Sequence, residues 1–202
     1  MLSNTQAVKI SRTHYIVKVA LLAAMAALVK IFEFRVPMMP VFLELDLSEV
    51  PVLLGTFALG PMAGIVVELI KNMVHALSST ETSGIGEIAN FIVGIAFVIP
   101  AGLIYRRRKH KKGAIMALVA GSVSMVLVAA VMNYFVFIPL YQRVLGWPLD
   151  AIISLGTQAN PAIVDLKSLV VMAIIPFNIL KAVVVSVVTL LVYKKVSPML
   201  HR

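Results

Sequence analysis

From residue 15 to residue 193 the chain is a succession of apolar runs, most of them near the length of a membrane-crossing helix, joined by short polar links. A helix needs roughly twenty apolar residues to cross the hydrocarbon layer, so this pattern restricts the fold before any motif is considered. Hydrophobic residues are 60% of the 202 and charged residues 13%, with a mean hydropathy of +0.99, which is too apolar for a soluble domain around one core. The length accommodates roughly five or six spans and their links. Residues 1–202 therefore read as a single all-α transmembrane domain.

The net charge of +9 does not point to nucleic acid, because the basic residues sit in short clusters between apolar runs, as in cytoplasmic loops. Cysteine is absent, which excludes disulfides, Cys-ligated metal sites and a thiol nucleophile. The polar, basic stretch 1–14 leads into a full apolar span without an A-x-A cleavage pattern, so it is expected to be retained.

The first span is expected at 15–34. The next segment, 35–49, holds two prolines and three carboxylates and cannot lie as a helix in hydrocarbon, so it reads as an exposed loop or lid. Residues 50–77 could form one long helix, but Gly60-Pro61 argues for two helices and a tight turn. Charge decides between the two. A single crossing would put Lys9, Arg12 and Lys18 across the membrane from the basic run Arg106 to Lys112; two crossings place the N-terminus, that run and Lys194-Lys195 together on the cytoplasmic side. Six spans follow, with both termini cytoplasmic. The second is so short that it covers roughly 18 Å of a ~30 Å core and must lean on its neighbours. The later helices are expected at 61–77, 86–105, 114–139 and 166–193, with outward links at 35–49, 78–85 and 140–165.

No constellation for catalysis or metal binding is present. His14, His75, His110 and His201 lack ligand spacing, and there is no phosphate-binding G-x-x-x-x-G-K-[ST] loop, G-x-S-x-G elbow or H-E-x-x-H motif. The informative residues are polar ones inside apolar helices, which must face protein or water. Asn178 and Lys181 lie three apart on one helix face, and Asn133 is a second buried amide. They offer donors and acceptors suited to a neutral heteroaromatic ligand, although interhelical hydrogen bonding alone would also explain them. Lys71-Asn72, and Glu87 with Asn90, fall near outer helix ends, where snorkelling or capping is the first explanation; Glu87 and Asn90 are kept as further candidate contacts. Met38, Met39, Phe42 and Leu45 could close over an aromatic ligand or simply anchor the loop at the interface. No membrane-embedded carboxylate relay is evident, Glu68 being the only acidic residue well inside a predicted helix. Small residues at Ala20/Ala24 and Ala23/Ala27 give the first helix a face that another helix could approach, from within the bundle or from a partner.

Taken in order, several pieces resemble one family. Glu44-Leu45-Asp46-Leu47-Ser48-Glu49-Val50-Pro51, Gly55, Gly60-Pro61-Met62-Ala63-Gly64 and Ile70-Lys71-Asn72 are similar to the substrate-binding subunits (S components) of energy-coupling factor (ECF) vitamin transporters. Gly84-Ile85-Gly86-Glu87-Ile88-Ala89-Asn90-Phe91, Met132-Asn133-Tyr134-Phe135 and Pro176-Phe177-Asn178-Ile179-Leu180-Lys181 resemble the riboflavin-specific type. The resemblance implies a six-helix subunit whose first outer loop covers the ligand, with no cofactor or ATPase activity of its own. It would lie in the cell membrane of a prokaryote and work with a transmembrane coupling protein and two ATP-binding-cassette ATPases. The Ala20/Ala24 or Ala23/Ala27 face would dock the coupling protein, and Asn133, Asn178 and Lys181 would contact riboflavin. The segment 147–161 matches no motif of the family. The expected function is high-affinity riboflavin capture and uptake; another vitamin or heteroaromatic solute on the same scaffold, or a membrane assembly protein, are the alternatives.

Overall fold

The computed structural model describes residues 12–78 and 82–200, with side chains as far as residue 193. Lys9 and most of the N-terminal basic stretch, His201, and the side chains of Lys194 and Lys195 lie outside the described residues.

Helix α1, Arg12–Lys30, ends four residues earlier than its apolar run suggests, because the chain turns there into a small hairpin. Its strands β1, Phe34–Arg35, and β2, Glu44–Leu45, pair antiparallel with Phe34 opposite Leu45. At the hairpin's far end Met38 adopts φ 63°, a left-handed conformation uncommon outside glycine.

Helix α2, Glu49–Leu59, is eleven residues long and buried on nearly every side, as its uniformly apolar sequence requires. Gly60 stops it at φ 101°, a conformation open to glycine, and Pro61 begins α3, Pro61–Ser78, where a missing N–H costs nothing. The two-helix reading of 50–77 is therefore what the backbone adopts. Helix α4, Ile85–Arg107, and α5, Lys111–Met132, pack closely against each other. A Cβ on Gly121 would stand 2.3 Å from the Phe97 ring.

Helix α5 continues through a π turn, Asn133–Phe137, into α6, Ile138–Leu145. After α7, Leu149–Ala159, the short α8, Leu166–Leu169, passes through a second π turn, Val170–Ile174, into α9, Ile175–Leu200. Each π turn stands immediately ahead of a proline at the second position of the next helix, Pro139 or Pro176. Proline removes an N–H and its ring crowds the carbonyl four residues back; a widened turn relieves both without breaking the rod. The unassigned segment 147–161 contains α7, held by Ile152 and Gly156 on its buried side, with Trp147 stacked on Tyr141 at 5.7 Å.

Among the described residues, four stretches are long and apolar enough to cross a membrane: Arg12–Lys30, Ile85–Arg107, Lys111–Leu145 and Leu166–Tyr193. Between them α2 is too short, and α3 carries Glu68 and Lys71 in its middle.

Two apolar clusters hold the bundle. One joins α1, α2 and α3 through Leu22, Ala26, Val52 and Val67; the larger runs from α2 and α4 through α5 to α9. At one end Phe57 packs on Tyr105 and Tyr193, whose hydroxyls hydrogen-bond to each other. The Gly60-Pro61 turn and the basic α4–α5 link lie at this end, and Tyr15 near the start of α1 packs in the same cluster as Leu59. The first loop and its carboxylates lie at the opposite end, where most of the polar side chains meet.

Candidate functional site

Three lysines and four carboxylates are buried together beneath the first loop. Asp46, just after β2, has no exposed surface. Its Oδ2 accepts from Lys181 Nζ of α9 at 3.0 Å and from Lys30 Nζ at the end of α1 at 3.3 Å. The Ser48 amide donates to the other oxygen, Oδ1, at 2.8 Å, and the Ser48 hydroxyl donates there too. Burial would raise the Asp46 carboxyl, but the charges of Lys181, Lys30 and Lys71, with the Ser48 hydrogen bond, hold it well below the usual carboxylate range.

The second part of the cluster is built on α2 and α3. Lys71 Nζ lies 2.7 Å from Glu49 Oε1 and 2.8 Å from Glu68 Oε1. Asn72 Nδ2 donates to Glu68 Oε1 at 2.8 Å, Asn90 Nδ2 donates to Asn72 Oδ1 at 2.9 Å, and Asn90 Oδ1 faces Lys181 Nζ at 3.5 Å. On the other side Lys30 reaches Glu33, and His75 stands between Glu33 at 3.3 Å and Glu87 at 2.9 Å. Withdrawing ions from water costs several kcal/mol each, and close opposite charges with hydrogen bonds are what can offset it. Lys30, Lys71 and Lys181 lie among four buried carboxylates, Asp46, Glu49, Glu68 and Glu87.

This arrangement corrects one reading of the sequence. Lys71 does not snorkel: it has no exposed surface and lies inside an ion cluster, and Asn72 links α3 to α4 rather than capping a helix. Glu68 does lie in the middle of α3, as expected, and Glu49 and Glu87, in the first turns of α2 and α4, are buried as well. The 35–49 segment is exposed only over part of its length: Met38 is 85% exposed and Phe42 is exposed, Met39 is half-buried, and Leu45, Asp46, Ser48 and Glu49 are buried.

Asn133 begins the first π turn, and Asn178 lies in the first turn of α9, just after the second. Asn133 Nδ2 donates to the Ala129 carbonyl and Asn178 Nδ2 to the Ile174 carbonyl, each at 2.8 Å. A carboxamide engaged in this way retains a second N–H and an acceptor oxygen. Asn178 is buried and Asn133 half-buried. Lys181, Asn90 and Asp46 thus form one hydrogen-bonded group, Asn178 lies one turn before Lys181 on α9, and Glu87 joins the cluster through His75.

On α1 the two alanine pairs separate cleanly. Ala23 is buried and Ala27 half-buried, in a face turned toward α2 and α3, whereas Ala20 and Ala24 are exposed.

The family model for the substrate-specific component of ECF transporters matches residues 14–193. The chain belongs to this family. It is a component of a transporter and a multi-pass membrane protein. The ECF substrate-specific component described here is 36% identical over 187 residues to the riboflavin transporter RibU of Staphylococcus aureus strain TCH60, covering 93% of this chain and 92% of that one. It is 31% identical over 191 residues to the riboflavin transporter FmnP of Bacillus subtilis strain 168, with coverage of 93% and 94%. A solved S component of a bacterial ECF transporter superposes with a TM-score of 0.76 at 33% identity, over 95% of this chain and all of that one.

Asp46 is the residue that polarity inside helices could not find, because it lies in a loop. Its signal was the family-like run Glu44-Leu45-Asp46-Leu47-Ser48-Glu49, where a carboxylate within a short apolar stretch demands a buried partner.

Proposed function

We propose that this substrate-specific component captures riboflavin from outside a prokaryotic cell and delivers it through an ECF importer, driven by a transmembrane coupling protein and two ATP-binding-cassette ATPases. What carries the reading is the 36% and 31% identity to named riboflavin transporters, spread over 93% of the chain. The bundle is taken as one domain of six spans, α1, α2, α3, α4, α5 with α6, and α8 with α9. The end bearing Tyr105, Tyr193 and the basic link faces the cytoplasm.

Asn133, Asn178 and Lys181 would then hold the polar edge of the isoalloxazine ring, with Asn90 and Glu87 beside them. The hairpin bearing Met38, Met39, Phe42 and Leu45 would cover it. The Asp46 to Lys181 contact supports that geometry, since it ties the covering loop to the helix that supplies two of the ligand contacts. Transport requires states of different affinity for the ligand, and a loop attached by one buried carboxylate is an element that such states can share.

The test is equilibrium titration of riboflavin against purified protein, followed by quenching of flavin fluorescence. Tight one-to-one binding, weakened by about 1–3 kcal/mol in Asn178→Ala and Lys181→Ala, is the expected outcome for a lost buried partner. No binding to the folded, unaltered protein would exclude riboflavin as the ligand.

A further inference from the structure

A second site is built at the opposite end of the molecule from the first loop. Between α5 and α9 runs a groove of about 260 Å³, lined almost wholly by apolar side chains such as Ile115, Val119, Val187 and Leu190. Only Ser122 and Ser186, 3.5 Å apart, interrupt it. Ile115, Val119 and Val187 are exposed, so the groove opens on the bundle's outer surface.

Basic residues gather at the start of α5, the helix that lines one side of the groove. Lys111, Ile115 and Val119 follow one another at four-residue spacing, which stacks them on one face of α5 with the lysine at the end. Lys112 is adjacent, and Arg108 is folded against the same helix, its guanidinium 3.3 Å from Met116 Sδ. All three basic residues are exposed, and among the described residues no carboxylate pairs with any of them. From Lys111 to Ser122 the helix rises about 16 Å, close to half the ~30 Å hydrocarbon thickness and so to the depth of one leaflet.

We propose that this groove, with Lys111, Lys112 and Arg108 at its mouth, binds one anionic phospholipid, the headgroup phosphate at the basic residues and an acyl chain along Ile115 and Val119. Charge at one end and an apolar channel below it, together spanning about the depth of one leaflet, match that class of molecule. A zwitterionic lipid would fill the channel without answering the charge, and a free phosphate would answer the charge without filling the channel.

The full-length protein, purified in neutral detergent, is titrated with phosphatidylglycerol and with phosphatidylcholine of the same acyl chains, and bound lipid is counted by native mass spectrometry. Glycerol 1-phosphate serves as the acyl-free competitor. The expected result is one phosphatidylglycerol bound about tenfold or more in preference to phosphatidylcholine, not displaced by glycerol 1-phosphate. The Lys111→Gln/Lys112→Gln variant abolishes the preference. Val119→Trp, a change at an exposed position, fills the channel and weakens both lipids. Equal binding of the two lipids overturns the proposal, as does displacement by glycerol 1-phosphate or unaltered binding in Val119→Trp. Retained riboflavin binding by each variant shows that it is folded; should the lysine variant not fold, the Val119→Trp arm decides alone.

Discussion

Asp46 and Lys181, separated by 135 positions in the chain, meet at 3.0 Å inside the protein and fasten the first loop to the last helix. The loop's turn and its two-residue strands are too short to order it alone, so this buried contact and the one to Lys30 set where the loop lies. Removing one partner of a buried ion pair costs about 3–5 kcal/mol, because the other charge stays behind. Asp46→Asn should therefore lower the melting temperature in detergent and raise the riboflavin dissociation rate in stopped-flow measurements. An unchanged dissociation rate would show that the loop does not cover the ligand.

The same residue gives a signed pH prediction. Its carboxyl is held below the ordinary value of 3.8, so its contribution is fully present above that value and is lost only as pH falls through the lowered one. The stability difference between the unaltered chain and Asp46→Asn should stay constant from about pH 8 to pH 5 and shrink only in stronger acid. Thermal melts of both proteins across that range test this; a difference that fades already near neutrality would mean the carboxylate is not held by the lysines.

Lys71 is the shared counter-charge of Glu49 and Glu68 through Oε1 of each, and among the described residues neither Oε2 has a hydrogen-bond partner. Lys71→Met would leave two buried carboxylates without a cation, at a cost of about 3–5 kcal/mol. Loss of the monodisperse peak in size-exclusion chromatography is expected. Lys71→Met combined with Glu49→Gln and Glu68→Gln should recover much of it, since neutral amides cost less to bury.

Much of the architecture was legible because lipid imposes simple rules. Gly60-Pro61 could be read as a turn from local chemistry, and the basic cluster at Arg106 to Lys112 suggested the end of the bundle that it shares with that turn. The ion cluster was hidden because its members are individually ambiguous. A lysine in an apolar helix, such as Lys71, looks the same in sequence whether it reaches for water or for Glu49, and only the packing of α2 on α3 decides. Likewise Ala20/Ala24 and Ala23/Ala27 are indistinguishable by spacing; the neighbours of α1 separate them. The π turns had a signal in Pro139 and Pro176, but proline alone predicts a kink as readily as a widened turn.

That separation of the alanines makes the docking prediction specific. Ala23 and its neighbour Ala26 are packed against α2 and α3, so Ala26→Leu should overfill the interior at a cost of about 1–3 kcal/mol and impair folding itself. Ala20 and Ala24 face outward and leave the interior unaffected. Close approach of helices in a membrane depends on small residues at the contact, so Ala20→Leu/Ala24→Leu should keep riboflavin binding and the melting temperature while losing co-purification with the coupling protein. Retention of the complex in that variant would move the docking face elsewhere on the bundle. Loss of riboflavin binding as well would mean that α1's outer face supports the site rather than a partner.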